Sequence, residues 1–353
     1  MSTDESYERG AAMIREAQES IRSTQNMLNE SKKKLESVQD CSKDIEERWE
    51  AFQNDFKAVL DKMADAIGAS LNASADDVEH RVISMKDLVL YLQNASNVVV
   101  LTGAGISVGS GIPTYRGDDG TWTVGSENYT SPEEIATFEM FQSNPEMTWN
   151  HYRHWHQRLE MAQPNEGHLS LVRLQQYLEA RGKRFCLITQ NIDNLHVLAG
   201  HPSDSLYQIH GNLNYARCSA GCKVDLLPLV NENENKCGVP LCGSCGKGLR
   251  PHVLFFDETY DEVLFQSTSA LHRVQEADLL ITIGTTFQTG LPRRILHTAG
   301  VKGVPVVDIN PVPNDDISLA SLHQLKVDAE KFLPKLMACL KATDSARGED
   351  KKN

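Results

Sequence analysis

Apolar positions along the chain fall into two regimes. From Ile14 a ladder of seven-residue steps runs through Ile21, Leu28, Leu35, Ser42, Trp49, Phe56 and Met63, and a second through Ala17, Thr24, Ser31, Val38, Ile45, Phe52 and Val59 lies three residues on. These are the a and d positions of a heptad repeat. Residues 1–75, without Pro and with only Gly10 and Gly68, are therefore predicted to form a helical coiled-coil arm that joins chains into a homo-oligomer. A helical hairpin packed on a globular surface is the other reading, which Trp49, Phe52 and Phe56 also suit. The pattern breaks over 69–80, which reads as a linker.

From Val82 onward the texture changes to α/β. A helix over 82–95 leads into Val98-Val99-Val100-Leu101, and similar short runs recur at 185–188, 279–283 and 304–307. Short runs of apolar residues between helical segments predict strands buried on both faces of a parallel sheet. They end in Thr102-Gly103-Ala104-Gly105, Thr189-Gln190-Asn191-Ile192-Asp193, Gly284-Thr285-Thr286 and Asp308-Ile309-Asn310. Open parallel sheets bind ligands beyond the carboxyl ends of their strands, so these exits are expected to converge on one site. The charged tail, 341–353, is expected to lack structure.

Composition narrows the class. The 353 residues carry 48 acidic and 35 basic side chains, a net charge of −13 that disfavours direct binding to nucleic acid or anionic membranes. No apolar run approaches the roughly 20 residues that span a bilayer. The opening MSTDESYERG is neither a secretory signal nor a transit peptide, so the expectation is a cytoplasmic or nuclear protein with reduced thiols.

Candidate chemistry clusters at three places. Gly103, Gly105, Gly109 and Gly111 follow the first strand, where absent Cβ atoms let backbone amides approach a phosphate. A dinucleotide fingerprint would need glycine where Val108 stands, and the P-loop lysine is missing. Ile112-Pro113-Thr114-Tyr115-Arg116 then suits a lid over a nucleotide. Cys218 and Cys222, followed after 19 residues by Cys242 and Cys245, have the spacing of a structural four-thiolate zinc site in a module over about 213–250, with Cys237 as a possible substitute ligand. Cys41, Cys186 and Cys339 read as free thiols. His210-Gly211, between the main sheet and this module, offers an imidazole able to take a proton at neutral pH. His151, His154 and His156 share a helix with Trp149, Tyr152 and Trp155 and lack the pattern of an open metal site.

In this order these motifs resemble the sirtuin family of NAD-dependent protein deacylases, over about 85–340. The match rests on Gly103-Ala104-Gly105-Ile106-Ser107 with Gly111-Ile112-Pro113, Thr189 to Asp193, His210-Gly211, the cysteine pairs, Leu249-Arg250-Pro251-His252-Val253 with Phe255-Phe256, and Gly284-Thr285-Thr286. The resemblance implies a Rossmann-like catalytic domain over 76–340 with an inserted zinc module, and a cleft between them for NAD and an acyl-lysine protein. It implies that Gly103, Ala104, Gly105, Ser107, Tyr115, Arg116, Gln190, Ile192, Gly284, Thr285, Thr286, Asn310 and the backbone at Ala329 line the NAD site. Asn191 and Asp193 would hold the nicotinamide carboxamide and the reacting ribose. His210 would be the general base, and Tyr152, Trp155, Val253 and Phe255 would meet the acyl-lysine. In the implied reaction the acyl oxygen displaces nicotinamide at the ribose, and His210 then helps a ribose hydroxyl attack, leaving lysine and O-acyl-ADP-ribose.

Two positions depart from the family pattern. Members that prefer acidic acyl groups carry an arginine three residues after the tyrosine, where this chain has Trp155, so acetyl or longer apolar groups are expected. Asp257 and Glu258 follow the paired phenylalanines where many relatives have glycine first, with no functional account from sequence. ADP-ribosyl transfer or NAD hydrolysis by the same site, and a coiled-coil scaffold with an NAD-sensing domain, are the competing readings. A hydride-transfer dehydrogenase is disfavoured by the glycine spacing.

Overall fold

The computed structural model describes residues 82–114, 132–229, 238–312, 314, 317, 319 and 321–350. The predicted coiled-coil arm, Tyr115, Arg116, Cys41 and Cys237 lie outside them.

The elements in chain order are α1 (Met85–Asn94), β1 (Asn97–Thr102), a 3-10 turn (Ala104–Ser110), α2 (Pro132–Ile135), α3 (Phe138–Ser143), α4 (Pro145–Glu160), α5 (Glu166–Glu179), β2 (Arg184–Thr189), α6 (Leu195–Ala199) and β3 (Leu206–Gln208). There follow β4 (Gly211–Cys218), β5 (Leu227–Pro228), β6 (Leu249–Val253), α7 (Glu262–Phe265), α8 (Ser267–Glu276), β7 (Leu279–Ile283), α9 (Gly290–Lys302), β8 (Val306–Ile309), β9 (Leu322–Leu325) and α10 (Ala329–Asp350). Among the described residues no helix is long and apolar enough to cross a membrane.

Six strands form one sheet in the order β3-β2-β1-β7-β8-β9, every neighbouring pair parallel. Because side chains alternate along a strand, each apolar run feeds two cores. Val98, Val100, Leu187, Ile281 and Ile283 pack under Leu92 of α1, Leu174 of α5 and Leu336 of α10. Val99, Leu101, Ile188 and Leu280 face the other way, against Val274 of α8 and Ile295 of α9. Strand order reverses between β1 and β7, which places the switch point, and so the crevice, between the loops leaving those two strands.

A second, three-stranded antiparallel sheet, β5-β4-β6, carries the cysteines and packs with α3 and α4 into a third core around Trp149, Tyr152, Leu213 and Phe255. Its return loop is pinned by charge. Arg250 is fully buried and makes two hydrogen bonds to Glu258, at 2.5 and 2.7 Å, while the Phe255 amide donates to the same carboxylate at 2.9 Å. Asp257 has a structural role that the sequence did not reveal: its two oxygens accept from the amides of Phe138 and Glu139, at 2.6 and 3.1 Å, capping the first turn of α3.

The C-terminus corrects an expectation. Instead of ending at about 340, the fold continues as α10 to Asp350. No glycine or proline intervenes between Pro334 and Gly348, and Arg181, stacked on Tyr177, pairs with Asp344 to tie the added turns to the end of α5.

Glu258 supplies a test of the return loop. Burial works to raise its carboxyl, but the hydrogen bonds and charge of Arg250, with the Phe255 amide and the charge of Arg217, together outweigh it and hold the group below its ordinary 4.5. A carboxylate with a depressed folded pKa contributes stability above its unfolded value and loses it as pH falls through the folded one. Glu258→Gln is expected to lower stability by about 3 kcal/mol near neutrality, by leaving the Arg250 charge unpaired, and the deficit should shrink below pH 4.5. Denaturant unfolding of both proteins from pH 7 to pH 3 checks both statements.

Candidate active site

The two loops at the switch point lie directly against one another. Gly103 donates its amide to the Ile283 carbonyl at 2.9 Å, and Gly105 donates to the Gly284 carbonyl at 2.9 Å. A Cβ at Gly105 would stand 2.6 Å from the Gly284 Cα, and one at Gly103 would stand 2.6 Å from the Gly284 oxygen. These glycines are thus required first by the contact between two backbones, whereas the sequence reading gave the reason as room for a phosphate. Thr285 is buried with its hydroxyl accepting from Gln190 Nε2 at 2.8 Å, and Thr286 is exposed. The Asn310 amide, just beyond β8, reaches the Thr285 carbonyl at 3.1 Å, and Ala329 opens α10 with its side chain in the first core.

The exit of β2 supplies the polar centre. Asn191 donates from Nδ2 to the Gly103 carbonyl at 3.1 Å and to Ser107 Oγ at 3.2 Å. Ser107 Oγ in turn donates to Asp193 Oδ2 at 2.6 Å, and Asp193 Oδ1 accepts from the Leu195 amide at 2.9 Å. Burial pushes the Asp193 carboxyl up, against the pull of Ser107 and the Leu195 amide. Between these two side chains Ile192 packs instead against the third core.

His210 sits at the start of the inserted module, half-buried, with Nδ1 2.9 Å from the Gln190 carbonyl. A carbonyl only accepts, so the proton is on Nδ1 and Nε2 carries the lone pair. Burial pushes the imidazole down to about 4, although the Gln190 contact acts to raise it. Nε2 lies 2.8 Å from the hydroxyl of Tyr260. Tyr260 carries no local sequence signal, because its partner is fifty residues away and on another element.

A further layer also escaped the sequence reading. Thr102 Oγ1 donates to Thr189 Oγ1 at 2.9 Å and faces His196 Nε2 at 2.9 Å, and His168 stands 3.5 Å from Ser107 Oγ. Burial pushes His196 well down and His168 to about 4, so these rings are neutral supports under the site.

The four residues expected to meet the substrate come together. Tyr152, Val253 and Phe255 are buried in the third core with Trp155 packed against them, and the Tyr152 and Phe255 rings stack at 5.8 Å. The ligand atoms of Cys218, Cys222, Cys242 and Cys245 all lie within 4.8 Å of one another. That compactness, with four sulfur donors, fits a tetrahedral zinc whose four thiolates leave no position for substrate. Cys186 is buried, which pushes its thiol up to about 12. Among the described residues the three histidines of α4 form no metal cluster.

Comparison with known proteins gives a consistent picture. A family model described as "Sir2 family" matches residues 103–289. The chain is 38% identical over 231 residues to an NAD-dependent protein deacylase of Thermus thermophilus, covering 65% of this chain and 85% of that protein. It is 35% identical over 252 residues to the NAD-dependent protein deacylase of Aquifex aeolicus, covering 71% and 98%. Among solved structures it is similar to a Sir2 homolog bound to NAD, with TM-score 0.62 and 30% identity over 75% of this chain and 99% of that one. It is similar as well to a Sir2 complex with p53 peptide and NAD+, with TM-score 0.58 and 28% identity over 72% and 98%.

Two outcomes test this arrangement. In Gly284→Ala the new Cβ meets Gly105 Cα and the Ile106 nitrogen at 2.6 Å, on a backbone with φ of +58°. The left-handed backbone alone costs about 1–2 kcal/mol for an L residue, so a loss beyond that range is expected in urea unfolding. Cys242→Ser is expected to lower bound zinc, measured by metal analysis of the purified chain, together with its melting temperature.

Proposed function

As a member of the Sir2 family the chain is an NAD-dependent protein deacylase, and from that premise we propose that His210 is its general base and that it removes apolar acyl groups from lysine. The observation that carries this is the linkage through residues 190–193. The Gln190 backbone fixes the His210 tautomer, Asn191 and Asp193 bind the glycine loop through Ser107, and Ile192 reaches the third core.

The residues suit the cofactor chemically. Asp193 is a deeply buried carboxylate whose contacts are neutral donors, and a ligand that brings positive charge, as the nicotinamide ring of NAD does, complements it. Once bound, NAD supplies an electrophilic ribose carbon and the acceptor for the acyl group. Asn191 and Asp193 hold the carboxamide and the reacting ribose, while Gly103, Ala104, Gly105, Ser107, Gln190, Gly284, Thr285, Thr286, Asn310 and the Ala329 backbone form the rest of the cradle. His210, kept neutral by burial, accepts a proton from a ribose hydroxyl at Nε2.

Specificity follows from the wall formed by Tyr152, Trp155, Val253 and Phe255. A carboxylate at the end of the acyl chain would be desolvated there, and Arg250, whose guanidinium lies 3.9 Å from the Phe255 ring centroid, is already paired with Glu258. Arg158, about one turn beyond Trp155, is exposed and stacks on the Trp155 ring at 5.1 Å, so its charge stays in water.

The test is to incubate the full chain with NAD and acetyl-, myristoyl- and succinyl-lysine peptides, measuring nicotinamide and deacylated peptide together. Acetyl peptide is expected to release the two in equal amounts, succinyl peptide to react at least tenfold more slowly, and His210→Ala to lower deacylation by about 100-fold or more. The acid limb of kcat/KM is expected below the ordinary imidazole value of 6.5. Nicotinamide release without peptide would make the enzyme a hydrolase or ADP-ribosyltransferase instead.

A further inference from the structure

The connection that returns from the small sheet to the large one runs along the surface at Phe256, Asp257 and Thr259, then turns Tyr260 inward. Its ring packs against the core that includes Phe287 and Leu291, at the start of α9. Its hydroxyl ends 2.8 Å from Nε2 of His210, with the two rings 5.8 Å apart and tilted by 35°. Since Nδ1–H is committed to the Gln190 carbonyl, Nε2 can only accept, and the phenol is the donor. Thr289 closes the circuit: its hydroxyl donates to Gln190 Oε1 at 3.3 Å and lies beside the same phenol. Both nitrogens of the imidazole are therefore held, one from the catalytic segment and one from the return loop.

We propose that Tyr260 is a positioning residue for His210: its hydroxyl holds Nε2 in the orientation and tautomer the base requires, and yields that seat to the substrate hydroxyl when it arrives. The proposal rests on His210 being the base, and it adds that the return loop sets the alignment of the base. It gives the exchange of one hydroxyl for another at Nε2 as the event that engages the base. That exchange costs no buried unsatisfied nitrogen, because the seat is never empty.

The test separates steps before and after His210 acts. In the proposed reaction nicotinamide leaves before the base is used, so labelled nicotinamide is incorporated into NAD, in the presence of acetyl-lysine peptide, without it. Tyr260→Phe keeps the ring and its packing and removes only the donor. It is expected to slow deacylation five- to fiftyfold while nicotinamide exchange stays within about twofold of wild type. The 15N resonance of Nε2, identified by its loss in His210→Ala, should move toward the position of a free imidazole nitrogen. Equal loss of both reactions would reduce Tyr260 to a packing role and overturn the proposal, as would unchanged deacylation with an unmoved resonance. His210→Ala is assayed in parallel: if it deacylates normally, the base assignment itself has failed, whereas its inactivity beside a fully active Tyr260→Phe rejects only the role of Tyr260.

Discussion

The closeness of two backbones at the sheet's switch point is the constraint on which the rest of the site depends. Loops leaving neighbouring parallel strands normally diverge into their own helices, which is what opens a crevice. Here the loops after β1 and β7 stay together for two hydrogen bonds before parting, and only glycine at 103, 105 and 284 lets them do so. That contact sets where the 3-10 turn begins. The turn sets where Ser107 points, and Ser107 is the hydroxyl on which Asn191 and Asp193 converge. A shift of a few tenths of an ångström at the glycine contact would be passed on through hydrogen bonds with little slack.

The polar network beneath the site is built for rigidity. Thr102, Thr189 and His196 lie at the carboxyl edge of the large sheet, fully or almost fully buried, and bond to one another. Such groups are costly unless satisfied, so the arrangement favours a single conformation of the strand ends over several of similar energy. Burial keeps both histidines here uncharged, and the His168 ring accepts from the Asn165 amide at Nδ1 while its Nε2 faces Ser107 Oγ. The return loop uses the opposite device, the full charge pair of Arg250 and Glu258, where one partner still reaches water.

What the sequence made legible was local. Strand runs showed through their apolar content, the cysteine pairs through spacing, and the exits of β1, β2, β7 and β8 through polar residues that follow each run. The aromatic and histidine spacing around Trp149, Tyr152 and Trp155 showed as a helix, which runs Pro145–Glu160. What escaped was pairwise and distant: Tyr260 on His210, Asp257 on the start of α3, Lys183 on the last carbonyls of α1. None of these alters periodicity or composition, because each depends on which surfaces the fold brings together. The short edge strand β9 was missed for a related reason, since Leu322-His323-Gln324-Leu325 is half polar and owes its conformation to pairing with β8. The extension of α10 was hidden by composition, as its charged, small residues read equally well as a tail.

Under the proposed function the third core would join specificity to chemistry, and magnitudes indicate how sharp that specificity would be. Ile192, between Asn191 and Asp193, packs against the same cluster as Tyr152, Trp155 and Phe255, so under the proposed function an acyl chain lying there would also press on the segment proposed to order the ribose. Each buried methylene gains about 0.8 kcal/mol, roughly a fourfold preference, and the gain stops where the wall ends. A terminal carboxylate placed against the same aromatic surface would lose several kcal/mol of hydration, and Arg250, over the Phe255 ring, is already committed to Glu258. Discrimination by charge is thus steeper than discrimination by length. On the proposed reading the single position three residues beyond Tyr152 would decide the first, whereas the second would be spread over every side chain that lines the cluster.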